Sequence, residues 1–514
     1  MLQINHLTIT HRKDLRVILE DFSLVLNDGD KAVIIGEEGN GKSTLMKWIY
    51  DPKLVEDYTE SSGNRITGHE RLGYLPQELM DTDKEKSVYE FFTDTEVFYD
   101  QTPKDLAKFA KEFHITNDFF YREQLMRTLS GGEKIKAQII RLMMQQPTVL
   151  LFDEPSNDID IETLEWLETF INNWPHIVLF ISHDETLIEN TANRIIHIEQ
   201  LRKKTQSRYS ISHMSYRQYR EERLKQFEKQ RQQAVSDRRD KRIREEKYRK
   251  IYQRVAHEQE MISRQDPGGA RLLKKKMHAV KSMEHRFERE NENMTEFPEK
   301  EDAIFFKLGN ETAAIPAGKT VLEYSIDELR TPDGEKILAK DIFLRIKGSK
   351  KICITGTNGA GKTTLLGKMA DELLQRTDIT IGYMTQNYEE LLDLDATPVD
   401  FLDDTGDKTA RTNIRTYLGS LKYTADEMAR PISELSGGQK AKLLLLKMSL
   451  SGANVLILDE PTRNFSPLSG PVIRKMLKEF PGAVLSISHD RKYIAEVCDT
   501  VYKLTEKGLE LISI

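Results

Sequence analysis

The feature that most constrains this 514-residue chain is an internal duplication. A glycine-rich segment ending in Gly41, Lys42 and Ser43 returns late in the chain as Gly361, Lys362 and Thr363. Three further motifs return at one constant offset, and the matching positions are Ser130 and Ser436, Glu154 and Glu460, and His183 and His489. Four motifs in the same order indicate two copies of one structural unit. We therefore expect two similar domains.

Each copy has the pattern of an α/β fold, in which short apolar runs alternate with glycine loops and helical segments. Buried strands are predicted at Lys31–Ile35 and Lys351–Thr355, directly before the glycine loops. Helices are predicted after the loops, at 44–49 and 364–370. Further short strands, at 149–152 and 455–458, run into Asp-Glu pairs. The predicted fold is two P-loop nucleotide-binding domains on one chain.

The segment between the copies differs in charge. Residues 201–290 hold 27 Lys and Arg against 13 Asp and Glu, although the whole chain has a formal net charge of −7. We predict two antiparallel helices with a bend near 265–269, the first extending roughly 60–70 Å. Their apolar stripe would comprise Leu224, Phe227, Val235, Ile243, Ile251, Val255, Ile262, Leu273, Met277, Val280, Met283 and Phe287. A solvated coiled coil that serves only as a spacer is an equally good interpretation of the charge.

The two glycine loops have the composition of phosphate cradles, in which backbone N–H groups and a helix N-terminus face the phosphates. Lys42 and Lys362 would reach the β- and γ-phosphates of ATP, and the hydroxyls of Ser43 and Thr363 would coordinate Mg²⁺. An ordinary glycine-rich turn is disfavoured because each loop lies between a strand and a helix. The predicted ATP-binding residues are Gly36, Glu37, Glu38, Gly39, Asn40, Gly41, Lys42, Ser43 and Thr44, and Gly356, Thr357, Asn358, Gly359, Ala360, Gly361, Lys362, Thr363 and Thr364.

Acidic pairs end the later strands of both copies. Asp153 and Asp459 are predicted to hold the metal, and the adjacent Glu154 and Glu460 to orient and polarise the attacking water. Solvated or helix-capping carboxylates are the simpler alternative, which the repeated context disfavours.

Two more polar residues recur in each copy. His183 and His489 follow apolar strands, where a lone histidine is usually a core residue, but the repeated Ser-His-Asp context indicates a γ-phosphate sensor. Gln77 and Gln386, each in a Gly-Tyr-x-x-Gln segment, are predicted to contact Mg²⁺ or the attacking water.

The segments Leu129-Ser130-Gly131-Gly132-Glu133 and Leu435-Ser436-Gly437-Gly438-Gln439 resemble the signature of the ABC ATPase superfamily. The resemblance covers residues 1–205 and 315–514. It implies that Ser130, Gly131 and Gly132 close over ATP on the second glycine loop. By the same rule Ser436, Gly437 and Gly438 close over ATP on the first, so that ATP joins the domains and hydrolysis releases them.

Within that superfamily the chain resembles the ABC-F group. No apolar stretch reaches the roughly 18 residues of a membrane span, and two cysteines cannot build a zinc or iron–sulfur site. Residues 214–220 and 274–284 resemble the basic linker of that group. The resemblance implies a cytoplasmic protein that acts as a monomer and does not bind a membrane. Its partners would be the E site and 23S rRNA of the bacterial 70S ribosome, and P-site tRNA contacted by the linker.

The predicted domains are 1–205, a linker at 206–300 with its tip at about 255–271, and 301–514. The chain has no inserted arm between Gln77 and Ser130, and in this and in its sequence at 459–469 it resembles antibiotic-resistance members from Gram-positive bacteria. This resemblance implies that it protects ribosomes from lincosamides, pleuromutilins and streptogramin A. A housekeeping factor for stalled or idle ribosomes and an ATPase module of a DNA or membrane complex are the alternatives. Since Asp160 has no acidic counterpart in 462–466, the two ATP sites are expected to hydrolyse at unequal rates.

Overall fold

The computed structural model describes residues 1–201, 206–261, 267–292, 295, 308, 313–331, 333–403 and 405–512. The chain forms two compact units, one of Met1–Tyr216 with Glu301–Ile514 and one of Arg217–Lys300. The larger unit contains both copies of the duplicated domain. Each copy is a mixed α/β domain, which confirms the predicted fold class.

The first domain is built on a six-stranded sheet of order β5-β6-β7-β3-β8-β9 and a three-stranded sheet of order β2-β1-β4. Its elements are β1 Leu2–His11, β2 Val17–Leu26, β3 Lys31–Ile35, α1 Lys42–Tyr50, β4 Thr59–Ile66, β5 Leu72–Leu75, α2 Asp81–Lys84, α3 Val88–Thr93, α4 Pro103–Glu112, α5 Gly131–Met144, β6 Val149–Asp153, α6 Ile161–Asn173, β7 Ile177–Ile181, α7 Glu185–Thr191, β8 Arg194–Leu201 and β9 Gln206–Ser212.

Burial explains why the central strands could be predicted from apolar runs. Every residue of β3, β6 and β7 is buried, as expected for parallel strands covered on both faces. Because parallel strands end at the same edge, the glycine loop after β3 and the acidic pair after β6 meet there.

The middle segment of the chain contributes two helices, α8 Tyr216–Glu260 and α9 Pro267–Glu292.

The second domain repeats the topology, with a six-stranded sheet of order β13-β14-β15-β12-β16-β17 and a two-stranded sheet β10-β11. Its elements are β10 Thr320–Arg330, β11 Ile337–Lys347, β12 Lys351–Thr355, α10 Lys362–Leu374, β13 Ile381–Met384, α11 Pro398–Leu402, α12 Lys408–Ser420, α13 Gly437–Leu450, β14 Val455–Asp459, α14 Gly470–Glu479, β15 Ala483–Ile487, α15 Arg491–Val497, β16 Thr500–Thr505 and β17 Gly508–Ile512.

The boundary predicted at residue 205 divides a strand pair. Residues Gln206–Ser212, which the sequence assigned to the linker, form β9 and pair antiparallel with β8 at the edge of the first sheet. The compact middle unit begins only at Arg217. Most side chains of β9 are polar, so its composition did not distinguish it from the linker.

Within the smaller unit, α8 and α9 run antiparallel. The carboxylate of Asp237 accepts the backbone N–H of Thr295 at 2.9 Å, and Lys276 Nζ lies 3.4 Å from Glu258 Oε2. Because the later position on α8 pairs with the earlier position on the returning chain, the two segments run in opposite directions. The predicted bend at 265–269 lies partly outside the described residues, and Pro267 begins α9.

The predicted apolar stripe is correct on α9 and partly wrong on α8. Leu273 and Val280 are buried, whereas Leu224, Val235, Ile243 and Ile251 are exposed, and Ile262 lies outside the described residues. The less exposed face of α8 instead follows a three-four spacing through both apolar and polar positions, namely Phe227, Ala234, Asp237, Lys241, Arg244, Tyr248 and Val255. Hydrophobicity alone therefore misplaced this face.

Candidate nucleotide-binding sites

The two glycine loops lie between β3 and α1 and between β12 and α10, and both need glycine for steric reasons. Gly36 has φ +148°, and a Cβ there would lie 2.3 Å from the carbonyl oxygen of Ile198. Gly356 has φ +150°, and its Cβ would lie 2.8 Å from the carbonyl oxygen of Leu504. The backbone of each loop is thus fixed in a conformation that other residues reach only with strain.

Both loop lysines fold back over their own loops. Lys42 Nζ donates to the carbonyl oxygens of Gly36 at 2.8 Å and Glu37 at 3.1 Å. Lys362 Nζ donates to the carbonyl oxygens of Gly356 and Thr357, both at 2.9 Å. Burial lowers the pKa of Lys362. Each ammonium group therefore lies in the cradle where phosphate oxygens are expected.

A hydroxyl and a carboxylate meet beside each loop. Ser43 Oγ donates to Asp153 Oδ1 at 3.0 Å, and Thr363 Oγ1 donates to Asp459 Oδ2 at 2.9 Å. Burial raises the pKa of Asp153 to about 6. Hard oxygen donors of this kind suit Mg²⁺, so the residues present fit the predicted metal.

The glutamates after β6 and β14 both have left-handed backbone conformations, with φ +54° at Glu154 and φ +51° at Glu460. Strained backbone at a non-glycine residue is common where a side chain must be aimed at a reaction centre. The Nε2 atom of His183 lies 3.0 Å from Glu154 Oε1, and that of His489 lies 3.8 Å from Glu460 Oε1. The structure thus brings each predicted catalytic pair together.

The two pairs differ in their electrostatics. Burial alone would raise the pKa of Glu154, but the attraction of His183 and Lys42 holds it below its usual range. Burial, with the charge of Asp459, raises the pKa of Glu460 to about 8. Burial also lowers the pKa of His489 to about 4. The duplicated residues therefore do not have equivalent surroundings.

The two predicted glutamines have different environments. Gln386 follows β13, and its Nε2 atom donates to Asp158 Oδ1 of the first domain at 3.2 Å. Gln77 follows β5 and is exposed. Their contact with Mg²⁺ or water stays a prediction.

The first signature motif and the second glycine loop line one cavity of about 630 Å³. Ser130 and Gly131 contribute from the first domain, and Lys362, Glu460 and His489 from the second. Asn358 also crosses between the domains, because its Nδ2 atom donates to the carbonyl oxygen of Asp158 at 2.6 Å. This head-to-tail arrangement is the one that the sequence predicted, and the cavity is large enough for a nucleotide.

The opposite pairing is present as well. The backbone N–H of Gly438 donates to Glu38 Oε2 at 2.5 Å, which joins the second signature motif to the first glycine loop. Gly132 lies in the first turn of α5, and Gly437 lies in the first turn of α13 beside the Glu38 carboxylate. The signature serines, Ser130 and Ser436, cap their own helices by accepting the backbone N–H of Glu133 and Gln439, both at 3.3 Å.

Sequence reasoning missed the ion pairs that join the two domains. Arg463 Nη1 lies 2.8 Å from Asp158 Oδ1, and Arg474 Nη1 lies 2.7 Å from Glu185 Oε1 with both side chains almost fully buried. A signal was available, because equivalent positions of the repeat carry opposite charges: Glu168 matches Arg474, and Glu185 matches Arg491.

Comparison with known protein families agrees with this geometry. The model described as ABC transporter matches residues 19–157 and 339–463, which include both glycine loops and both acidic pairs. The chain belongs to the ABC transporter family. Domains of this family bind ATP with Mg²⁺, and the protein is an ATP-hydrolysing enzyme. Among the described residues, no helix has the length and apolar character needed to cross a membrane.

Similar proteins match over nearly the whole chain. The ribosome protection protein VmlR of Bacillus subtilis is 26% identical, over 96% of this chain and 85% of VmlR. The energy-dependent translational throttle protein EttA of Haemophilus influenzae is 26% identical, over 96% of this chain and 90% of EttA. Archaeal aABCE1, solved with the ribosomal stalk protein aP1, has a similar fold with a TM-score of 0.56 at 17% identity, covering 98% of this chain and 89% of that one. The relatives support assignment to the ABC-F group.

Proposed function

We propose that this protein is an ABC-F ATPase that acts on the bacterial ribosome. The observation that carries the proposal is the combination of two head-to-tail nucleotide sites with an antiparallel helix pair inserted between the domains. Relatives of similar length are named for ribosome protection and for throttling translation, and both match this chain across its insertion.

In the proposed cycle ATP binds between the domains. Lys42 and Lys362 would hold the phosphates. Ser43 with Asp153, and Thr363 with Asp459, would hold Mg²⁺ together with Gln77 and Gln386. Glu154 and Glu460 polarise the attacking water, and His183 and His489 contact the γ-phosphate. Phosphoryl transfer needs chiefly positioning and charge stabilisation, which these groups supply. Signature residues of the facing domain complete each site, so ATP favours closure and hydrolysis favours opening.

The helix pair is the proposed ribosome-contacting element. Its segment is strongly basic, and Lys and Arg on a rigid helix suit contact with the phosphate backbone of RNA. The protein would occupy the E site from the cytoplasm as a monomer, contacting 23S rRNA, with α8 and α9 directed toward P-site tRNA. The predicted tip, residues 255–271, would then reshape the peptidyl-transferase region and dislodge lincosamide, pleuromutilin or streptogramin A drugs.

A housekeeping role in translation is a second candidate, favoured by the similarity to EttA, which is as close in sequence as VmlR. Deleting the gene and testing growth against a drug panel separates the two. Protection predicts selective hypersensitivity to drugs that bind at the peptidyl-transferase centre. A housekeeping factor predicts slow recovery from stalled or idle translation without that selectivity.

Co-sedimentation with purified 70S ribosomes tests the proposal most directly. We expect the protein to pellet with ribosomes when a non-hydrolysable ATP analogue is present, and to remain in the supernatant with ADP. A Lys42→Ala/Lys362→Ala double variant, which cannot hold phosphates, is the matched control and should not pellet. If the wild-type protein stays free under all nucleotides, the ribosomal role is wrong, and the remaining alternative is an ATPase module of a DNA or membrane complex.

The tip makes a separate prediction. Removal of residues 258–270 should abolish drug protection in cells while ATP turnover stays within about twofold of wild type, because the residues of the ATP sites lie in the other compact unit. Minimum inhibitory concentrations measure drug protection, and ATPase assays measure ATP turnover. Unchanged drug tolerance in a strain that makes the shortened protein would contradict the role of the tip.

A further inference from the structure

Glu38 of the first glycine loop makes a contact that its counterpart in the second loop does not make. Its carboxylate accepts the backbone N–H of Gly438, in the first turn of α13, at 2.5 Å. A Cβ on Gly437 would lie 3.3 and 3.5 Å from the two carboxylate oxygens. The carboxylate thus lies against the N-terminus of the signature helix. Free N–H groups and the helix dipole make such an end a favourable place for an anion.

The equivalent residue of the second loop is Asn358, which is neutral. The acidic groups of that contact belong to the facing domain, where Asp160 Oδ2 accepts the backbone N–H of Asn358 at 3.3 Å and Asp158 is adjacent. The positions equivalent to Asp158 and Asp160 in the second domain are Asn464 and Ser466. At the first site the negative charge therefore lies on the glycine loop, at Glu38. At the second site it lies on the facing domain, at Asp158 and Asp160.

The space around Glu38 is small. The adjoining cavity, whose lining includes Glu38, Gly438 and Asn464, has a volume of about 40 Å³, far below that of the cavity beside the second loop. Tyr388 also contacts this end of the signature helix, because its hydroxyl donates to the carbonyl oxygen of Gly437 at 2.8 Å and accepts from Asn464 Nδ2 at 2.5 Å. A phosphate group could reach the N–H of Gly438 only if the Glu38 carboxylate moved away.

We infer that Glu38 competes with the γ-phosphate of ATP for the second signature motif, so that the first glycine loop binds ATP more weakly than the second. The inference rests on the proposed roles of the two glycine loops. ATP at the second loop meets an open cavity and a neutral Asn358. ATP at the first loop must displace a carboxylate that already uses the helix N-terminus. The two sites therefore fill in a fixed order as ATP concentration rises, the second loop first.

Equilibrium binding of a fluorescent ATP analogue tests this order when one loop is disabled at a time. The substitution Lys362→Ala leaves only the first loop to bind phosphates, and Lys42→Ala leaves only the second. Glu38→Gln is then added to each background, because glutamine keeps the shape of the side chain and removes its charge. Glu38→Asn, which copies the residue of the second loop, is the second variant. Circular dichroism checks that each protein is folded.

In the Lys362→Ala background we expect Glu38→Gln and Glu38→Asn to lower the Kd by about tenfold, the effect of one unfavourable charge close to the phosphates. In the Lys42→Ala background the same substitutions should change the Kd by less than about twofold. Equal affinities with and without Glu38 in the first background would overturn the inference, as would equal gains in both backgrounds. Absence of binding to the first loop, whatever residue 38 is, would overturn the proposed role of that loop as well.

Discussion

The double substitution Glu154→Gln/Glu460→Gln should lower ATP turnover by at least about 100-fold while ATP still binds, because the proposed role of each carboxylate is to polarise the attacking water and not to bind the nucleotide. Glu154 is buried and Glu460 is half-buried, both have left-handed backbone conformations, and both lie close to a histidine. Glutamine keeps their size. Steady-state phosphate release measures the loss of turnover, and equilibrium nucleotide binding shows whether ATP still binds. More than about 10% residual turnover would contradict the catalytic assignment.

Single substitutions provide the matched comparison. The loop that follows Glu154 carries Asp158 and Asp160 beside the facing site, whereas the equivalent positions after Glu460 are Asn464 and Ser466. Glu154→Gln and Glu460→Gln should therefore reduce turnover by different factors. Identical losses would indicate that the difference between the loops has no effect on hydrolysis.

The same double variant should remain on ribosomes in the presence of ATP, because in the proposed cycle ATP favours closure of the domains and slow hydrolysis delays their opening. We expect a larger pelleted fraction than for the wild-type protein with ATP, and a similar fraction to the wild-type protein with a non-hydrolysable analogue. A variant that binds ATP, fails to hydrolyse it and still sediments free of ribosomes would refute the ribosomal proposal without affecting the ATPase assignment.

The elements that the sequence predicted well are those set by local patterns. The strands Lys31–Ile35 and Lys351–Thr355 were predicted with their observed bounds, because an uninterrupted apolar run is followed directly by a glycine loop. The helices after the loops begin two residues earlier than predicted, at Lys42 and Lys362, since the lysine and the hydroxyl residue of each loop belong to the first helical turn. Local sequence patterns therefore predicted the strand, the glycine loop and the helix of each candidate nucleotide site.

The features that were missed depend on which residues meet in space. β9 carries few apolar residues, and only its pairing with β8 shows that it belongs to the first sheet. The less exposed face of α8 uses polar side chains such as Asp237 and Arg244, which a hydrophobic pattern cannot reveal. The contact of Glu38 with Gly438 joins residues far apart in the chain, so composition gave no sign of it.

Charge complementarity makes the contact between the two domains directional. Glu168 and Glu185 of the first domain pair with Arg491 and Arg474 of the second, and these four residues occupy equivalent positions of the repeat. Two first domains would bring carboxylates together, and two second domains would bring guanidinium groups together. Like charges at a contact cost several kcal/mol, so each first domain should pair only with a second domain.

The substitution Arg474→Met should destabilise the folded protein by about 3 kcal/mol, because it leaves a buried carboxylate with one partner fewer. Arg474 bridges Glu185 at 2.7 Å and Glu496 at 2.8 Å, and these pairs raise its pKa although burial alone would lower it. Lys492 Nζ lies 3.2 Å from Glu185 and should remain its partner after the change. The loss of stability should therefore be at the lower end of the range for breaking a buried ion pair. Urea denaturation gives the change in the free energy of unfolding.

Two controls separate charge from packing. The double variant Arg474→Met/Glu185→Leu should recover most of the lost stability, because it removes the stranded carboxylate together with its partner. Lys503→Ala breaks the exposed pair of Lys503 with Glu162, 3.2 Å apart across the same two domains, and should cost less than about 1 kcal/mol. If Arg474→Met costs no more than Lys503→Ala, the buried pair does not stabilise the contact, and the directional pairing must have another origin.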